Sequence, residues 1–256
     1  MEFRPCIDIH NGKVKQIVGG SLLDKGDLAK ENFISSMDAA YYASFYERKK
    51  LKGGHVIMLN GRESIYYEKT KCQALEALRA YPKGLQAGGG IQRENAGEFL
   101  DAGASHVIVT SYIFSGSELH YGHLEDMKRE VGKEQLVLDL SCRKKDGQYY
   151  IVTDRWKNFT NIILSHQLLK ELDSYCDEYL IHGVDVEGKK QGMEEELIKM
   201  LGEHRGNSIT YAGGVSSYSD ITLLKKLGRN KIHVTIGSAL DLFGGSLEMD
   251  KVLSCI

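Results

Sequence analysis

Two aspartates occupy matching places in apolar runs. Cys6-Ile7-Asp8-Ile9 stands near the start, and Val137-Leu138-Asp139-Leu140 repeats its pattern 131 residues later. Paired carboxyls in unlike surroundings make a natural general base and general acid, because burial raises a carboxyl's proton affinity and can leave one of the two protonated at neutral pH. A single aspartate at a strand end ordinarily caps a loop; the repetition favours chemistry. Glycines repeat too. Gly88-Gly89-Gly90-Ile91 returns as Ala212-Gly213-Gly214-Val215 after 124 residues, and His106-Val107-Ile108-Val109-Thr110-Ser111 returns as His233-Val234-Thr235-Ile236-Gly237-Ser238 after 127. Glycine admits close approach of backbone N–H groups to an anion, and a following helix N-terminus adds partial positive charge. Two such pairs predict two phosphate sites: Gly89, Gly90, Thr110 and Ser111 at one, and Gly213, Gly214, Gly237 and Ser238 at the other.

The elements that must position these residues alternate regularly. Short β-branched or apolar runs lie at Phe3–Ile9, His55–Leu59, Gly84–Ala87, His106–Thr110, Leu136–Leu140, Glu178–His182, Ser208–Ala212 and His233–Ile236. Between them, Ile34–Lys50, Lys71–Ala80, Glu94–Ala102, Glu118–Val131, Asn161–Cys176, Glu194–His204 and Ser219–Leu227 carry apolar residues at helical spacing. Eight strand–helix units in 256 residues give an α/β fold, a single (β/α)8 TIM barrel. Offsets near half the chain predict two similar half-barrels, and the lack of a compositional break predicts one domain over residues 1–256. On such a barrel the strand C-terminal ends form the active face. Strands 1 and 5 then oppose one another, and the 3–4 and 7–8 loops oppose one another across them. The expected ligand is a small bisphosphate with its middle between Asp8 and Asp139.

Composition excludes several classes. With 35 acidic residues against 33 Lys and Arg, the net charge of −2 gives no electrostatic footprint for nucleic acid. No stretch approaches the ~18 consecutive apolar residues of a membrane span. The opening Met1-Glu2-Phe3-Arg4 lacks a secretory pattern, and five scattered cysteines suit a reducing compartment, so a cytoplasmic protein is expected. Neither a metal-ligand spacing nor a dinucleotide fingerprint is present, so no metal and no cofactor is expected. Cys6 and Cys142 lie beside the aspartates without a paired base and read as packing residues.

The opening Phe3-Arg4-Pro5-Cys6-Ile7-Asp8-Ile9-His10-Asn11-Gly12-Lys13-Val14-Lys15-Gln16-Ile17-Val18-Gly19-Gly20 resembles the ProFAR isomerases of histidine biosynthesis, in particular their fungal and plant-like branch. Leu85–Ile91, Val137–Asp139, Tyr179–His182 and Tyr211–Val215 extend the resemblance over nearly the whole chain. It implies an Amadori rearrangement of the aminoaldose ProFAR to the aminoketose PRFAR, with Asp8 as base, Asp139 as acid and no cofactor. Gly19 and Gly20 fall among the implied substrate contacts, in a segment expected to move over the substrate, and a monomer is expected.

Trp156 lies in a long polar segment after strand 5, where the resemblance places a tryptophan over the substrate's imidazole carboxamide; a latch between loop and barrel is the other reading. Arg143, Lys144, Lys145, Arg155 and Lys157 flank it, as solvated charges or as steering for a dianion. His182 stands where bacterial relatives carry a threonine that assists the acid, and can meet Asp139 or the sugar. Asp185 and Glu187 follow in the next loop. The sequence departs from the bacterial pattern at Gln92-Arg93, which unsettles a role for that arginine, and at Leu59-Asn60-Gly61, which replaces an aspartate. Two rivals remain: the related imidazole-glycerol-phosphate cyclase subunit, and a barrel that binds phosphoribosyl ligands without catalysis. Phosphoribosylanthranilate is a further substrate candidate.

Overall fold

Eight parallel strands curl into one sheet. They are β1 (Cys6–His10), β2 (Gly54–Met58), β3 (Leu85–Gly88), β4 (Val107–Val109), β5 (Leu136–Asp139), β6 (Glu178–His182), β7 (Ser208–Ala212) and β8 (His233–Thr235), each hydrogen-bonded to the next in chain order. A parallel bridge between Phe3 and Val234 joins the two ends. There the Arg4 N–H donates to the Val234 carbonyl at 2.8 Å, and the Val234 N–H to the Glu2 carbonyl at 3.0 Å. The structure is a computed structural model that describes residues 1–18, 21, 29–154, 156–186 and 192–256.

Helices α1 (Ala39–Arg48), α2 (Tyr67–Ala80), α3 (Arg93–Asp101), α4 (Tyr121–Val131), α5 (His166–Leu172), α6 (Glu195–Leu201), α7 (Tyr218–Leu227) and α8 (Met249–Cys255) follow the strands in turn. Caps set several of their starts. Asp38 accepts from the Tyr41 N–H at 2.8 Å, so α1 begins at Ala39 and Ile34 instead closes the strand Glu31–Ile34. Asn161–Ile163 likewise belongs to a hairpin strand, leaving α5 only seven residues. Glu118–Leu119 pairs with Phe114–Ser115 rather than opening α4. In each case hydrogen bonding to a neighbouring strand prevails over helical spacing. α2 begins one turn before its apolar pattern suggests, and α8 corresponds to none of the helical segments read from the sequence.

The alternation of side chains along a strand sorts the barrel interior into layers. Ile108, Val137, Leu180 and Ala212, with Ile57 against them, form an apolar middle. Gly88 completes it, because a Cβ there would lie 2.6 Å from the Ile57 Cδ1. Two residues earlier on their strands stand Gln86, Glu178 and Thr210, a polar floor. The Arg4 Nη1 meets the Glu178 Oε2 at 3.0 Å, the Gln86 Nε2 donates to the same oxygen at 3.1 Å, and the Thr210 hydroxyl donates to the Glu178 Oε1. The helices pack around the outside of the sheet in one large cluster.

Removing one member of a buried ion pair strands its partner, at a cost of about 3–5 kcal/mol. Arg4→Met is therefore expected to lower unfolding free energy in urea by about that amount, and adding Glu178→Leu should restore much of it. A double variant less stable than the single one would refute the pairing.

Candidate active site

Two residues beyond the apolar layer, the strands change character. Ile108 leads to Thr110, Val137 to Asp139, Leu180 to His182 and Ala212 to Gly214. These residues, with Asp8 from β1, open into a cavity of about 530 Å³ at the C-terminal ends of the strands. Gly89, Gly90, Thr110, Ser111, Trp156, His182, Gly213, Gly214, Gly237 and Ser238 all line it beside the two aspartates. Gly19, Gly20 and Glu187 lie outside the described residues.

Backbone geometry dictates the glycines. Gly89 and Gly90 have φ of +95° and +70°, and Gly213 and Gly214 +129° and +74°. A Cβ on Gly89 would sit 2.1 Å from the Met58 carbonyl oxygen, and one on Gly214 would sit 1.9 Å from that of Gly192. Each half of the barrel therefore brings a strand-end loop against a neighbouring backbone as only glycine permits, at Gly89 in the first half and at Gly214, the counterpart of Gly90, in the second.

The two carboxyls have unlike company. Asp139 is surrounded by groups that can change hydrogen-bond role. Its Oδ1 lies 2.9 Å from the Ser141 Oγ and 3.4 Å from the His182 Nδ1, and its Oδ2 lies 3.3 Å from the Thr110 Oγ1. Hydroxyls donate or accept by rotation, and imidazole by changing tautomer. Asp8 instead receives an amide: the Gln16 Nε2 donates to its Oδ2 at 3.1 Å. Below Asp8, the buried Tyr46 hydroxyl donates to the Cys6 carbonyl at 3.0 Å and braces β1 from α1.

Trp156 is brought over the acid side. The strands Cys142–Lys145, Gln148–Thr153 and Asn158–Ile163 form a three-stranded sheet after β5. Trp156 sits at its tip with φ +68°, its ring centroid 5.9 Å from that of His182 and tilted by 42°. Of the charges flanking it, Arg143 pairs with Asp185 at 2.8 Å and Lys144 pairs with Glu196, while Arg155 lies outside the described residues. Asp185 also accepts from the Lys144 N–H at 2.9 Å, so it clamps the β6 loop to this sheet rather than lining the cavity. Arg93 points to Glu130 at 3.4 Å and is absent from the cavity wall.

Gln16, Arg62 and His55 are among the lining residues that the sequence analysis did not single out. Gln16 belongs to the antiparallel strand Lys13–Ile17, whose register against β1 follows from the Asn11-Gly12 turn. Asn-Gly is the signature of such a hairpin and pointed to the strand, though not to its contact with Asp8. Arg62 is the sole Lys or Arg among the described lining residues, and its Cγ lies 3.5 Å from where a Cβ on Gly90 would stand. His55 lies beneath His182, ring centroids 6.4 Å apart.

The chain matches the model of the histidine biosynthesis protein family over residues 2–247. It is a member of that family. Among curated relatives, a chloroplastic phosphoribosyl imidazole-4-carboxamide isomerase from Medicago truncatula is 51% identical over 258 residues, covering 99% of this chain and 81% of the relative. An isomerase of the same description from Yarrowia lipolytica is 43% identical, covering 98% of this chain and 94% of the relative. That from Saccharomyces cerevisiae is 41% identical, with 96% and 94% covered. Within this family member, no helix among the described residues is long and apolar enough to cross a membrane.

Burial, reinforced by the His182 imidazole and opposed by Asp139, pulls the His55 pKa from 6.5 down to about 3. The folded protein thus holds His55 neutral where the unfolded chain protonates it. The resulting stability is complete above pH 6.5 and is lost as pH falls toward about 3, since only the unfolded chain takes up the proton in that interval. Urea midpoints measured from neutral to acidic pH should fall less steeply for His55→Gln than for the parent; parallel curves would exclude this contribution.

Proposed function

We propose that this chain is an aldose–ketose isomerase of histidine biosynthesis that converts ProFAR to PRFAR as a single-domain, monomeric barrel in the cytoplasm. The observation that carries the proposal is the meeting, in one cavity, of two opposed aspartates and two glycine anchors. A bisphosphate spanning β3–β4 and β7–β8 places its central atoms between β1 and β5. The relatives' names supply the chemistry that suits such a ligand.

Asp139 is the acid. It protonates the ribose ring oxygen, the C1–O bond breaks, and the anomeric nitrogen's lone pair forms the iminium. Asp8, as carboxylate, then takes the C2 proton. The C–H electron pair becomes the C1–C2 double bond, and the iminium pair returns to nitrogen. Tautomerisation of this enolamine gives the ketose. Role-changing neighbours suit Asp139, which must exist with and without its proton, whereas a fixed amide donor suits a residue that begins ionised. Trp156 and His182 form the wall against the imidazole carboxamide, and ring stacking there contributes about 0.5–1.5 kcal/mol.

Arg62 gives the β3–β4 anchor its charge. The family arginine after β3 is turned to Glu130 here, and Arg62 from the β2 loop instead lines the cavity with its aliphatic stem beside Gly90. The bisphosphate is thereby met by a cation at its β3–β4 end and by backbone N–H groups at its β7–β8 end.

Incubating the purified protein with ProFAR, with PRFAR plus ammonia, and with phosphoribosylanthranilate, while following absorbance, separates the alternatives. ProFAR turnover is expected. Ring formation from PRFAR and ammonia without ProFAR turnover would make the chain a cyclase, and binding without turnover a non-catalytic barrel. Asp8→Asn and Asp139→Asn should each lower kcat by about 10²–10⁴-fold with the fold intact, and undiminished turnover would defeat the mechanism. Arg62→Ala should raise KM about tenfold, most at low ionic strength, with kcat nearly unchanged. Arg93→Ala should leave both constants near parental values. Equal effects of the two arginine variants would remove Arg62 from the anchor.

A further inference from the structure

Gln16 is a buried amide, 4% exposed, on a strand that lies outside the eight-stranded barrel. Its side chain nevertheless lines the active cavity. The Nε2 donates to the Asp8 Oδ2 at 3.1 Å and lies 3.8 Å from the Cys6 Sγ. At the other end of the same amide, the Oε1 fills the space beside Gly237, where an added Cβ would come within 2.3 Å of it. One rigid planar group therefore touches the carboxyl from β1 and the phosphate loop after β8.

We propose that Gln16 is a positioning residue for the isomerisation: its amide orients the Asp8 carboxylate for C2 proton abstraction and sets that carboxylate at a fixed distance from the Gly237 anchor. The inference rests on the isomerase reading above. A primary amide nitrogen only donates, so it favours a lone pair on Oδ2 over a proton there. The Asp8 carboxyl has two side-chain torsions, and a donor held between β1 and the loop after β8 favours one orientation of it. Proton transfer from carbon demands such alignment, and small misplacements cost rate steeply. The contact with Gly237 makes the selection relevant to substrate, because one phosphate of the ligand and the base share a common ruler. Gly237 must be glycine for the same reason, since a side chain there would expel the amide oxygen.

The test compares parent, Gln16→Leu, Gln16→Glu and Gln16→Asn with ProFAR and with ProFAR carrying deuterium at C2, thermal unfolding confirming each fold. Gln16→Leu is expected to lower kcat about ten- to a hundredfold, as loss of a hydrogen bond to a charged group does, while KM changes little. The deuterium effect on kcat should grow, since proton abstraction becomes the slow step. Gln16→Glu should lose at least as much although it is nearly isosteric, because a second carboxylate faces Asp8. A merely space-filling role predicts the reverse, with Glu close to parental. Gln16→Asn, which keeps the amide but shortens its reach, serves if the leucine variant unfolds, and should show the same fall in kcat with an enlarged isotope effect. Parental kcat in Gln16→Leu or Gln16→Glu, a loss confined to KM, or an unchanged isotope effect would overturn the proposal while leaving the isomerase reading in place. A parent protein that does not isomerise ProFAR would overturn both.

Discussion

The apolar layer across the barrel's middle is the constraint on which the rest depends. Side chains alternate along each strand, so once Ile108, Val137, Leu180 and Ala212 fill the interior at one level, the inward residues above and below are fixed. Thr110, Asp139, His182 and Gly214 must emerge at the mouth, and Glu178 and Thr210 must face the floor. The layer also separates charge from charge. The Arg4–Glu178 pair lies on one side and the Asp8–Asp139 pair on the other, with hydrocarbon between them. Chemistry at the top is insulated from the ion pair that helps to close the bottom.

The two aspartates share a place in the repeat but not an environment. Gene-half symmetry makes them a pair; asymmetry in what surrounds them suits them to different tasks. Around Asp139 the partners are a serine, a threonine and a histidine drawn from three strand ends. Around Asp8 there is an amide from an added hairpin strand. The divergence around the two carboxyls therefore lies in the hairpin strand added after β1 on one side, and in the strand-end residues Thr110, Ser141 and His182 on the other.

Much of this was legible in the sequence. The eight apolar runs, the half-length offsets and the glycine pairs gave the barrel, its active face and the residues that meet there. The less legible parts share a physical cause. Gln16 gains its place from antiparallel pairing of Lys13–Ile17 with β1, a non-periodic contact that strand–helix alternation does not encode. Arg62 arrives through a loop stapled at its base, where Asn60 accepts from the Asn11 N–H and the Thr70 hydroxyl, both at 2.7 Å. Ile34 and Asn161 carry helical spacing yet join strands, because open edges beside them offer hydrogen bonds. His55 reads as an ordinary strand residue until its burial beneath His182 is seen.

The tight turn at Asn11-Gly12 carries a consequence for how such a chain can vary. Both residues adopt positive φ, and Val14 pairs with Ile9 directly across from them. Adding or deleting one residue there would rotate every following side chain to the opposite face. Lys15, which now reaches Glu31, would swing inward, and the amide beside the carboxyl would swing out. Insertions and deletions are thus closed to this hairpin. Drift in length must be absorbed elsewhere along the barrel's rim.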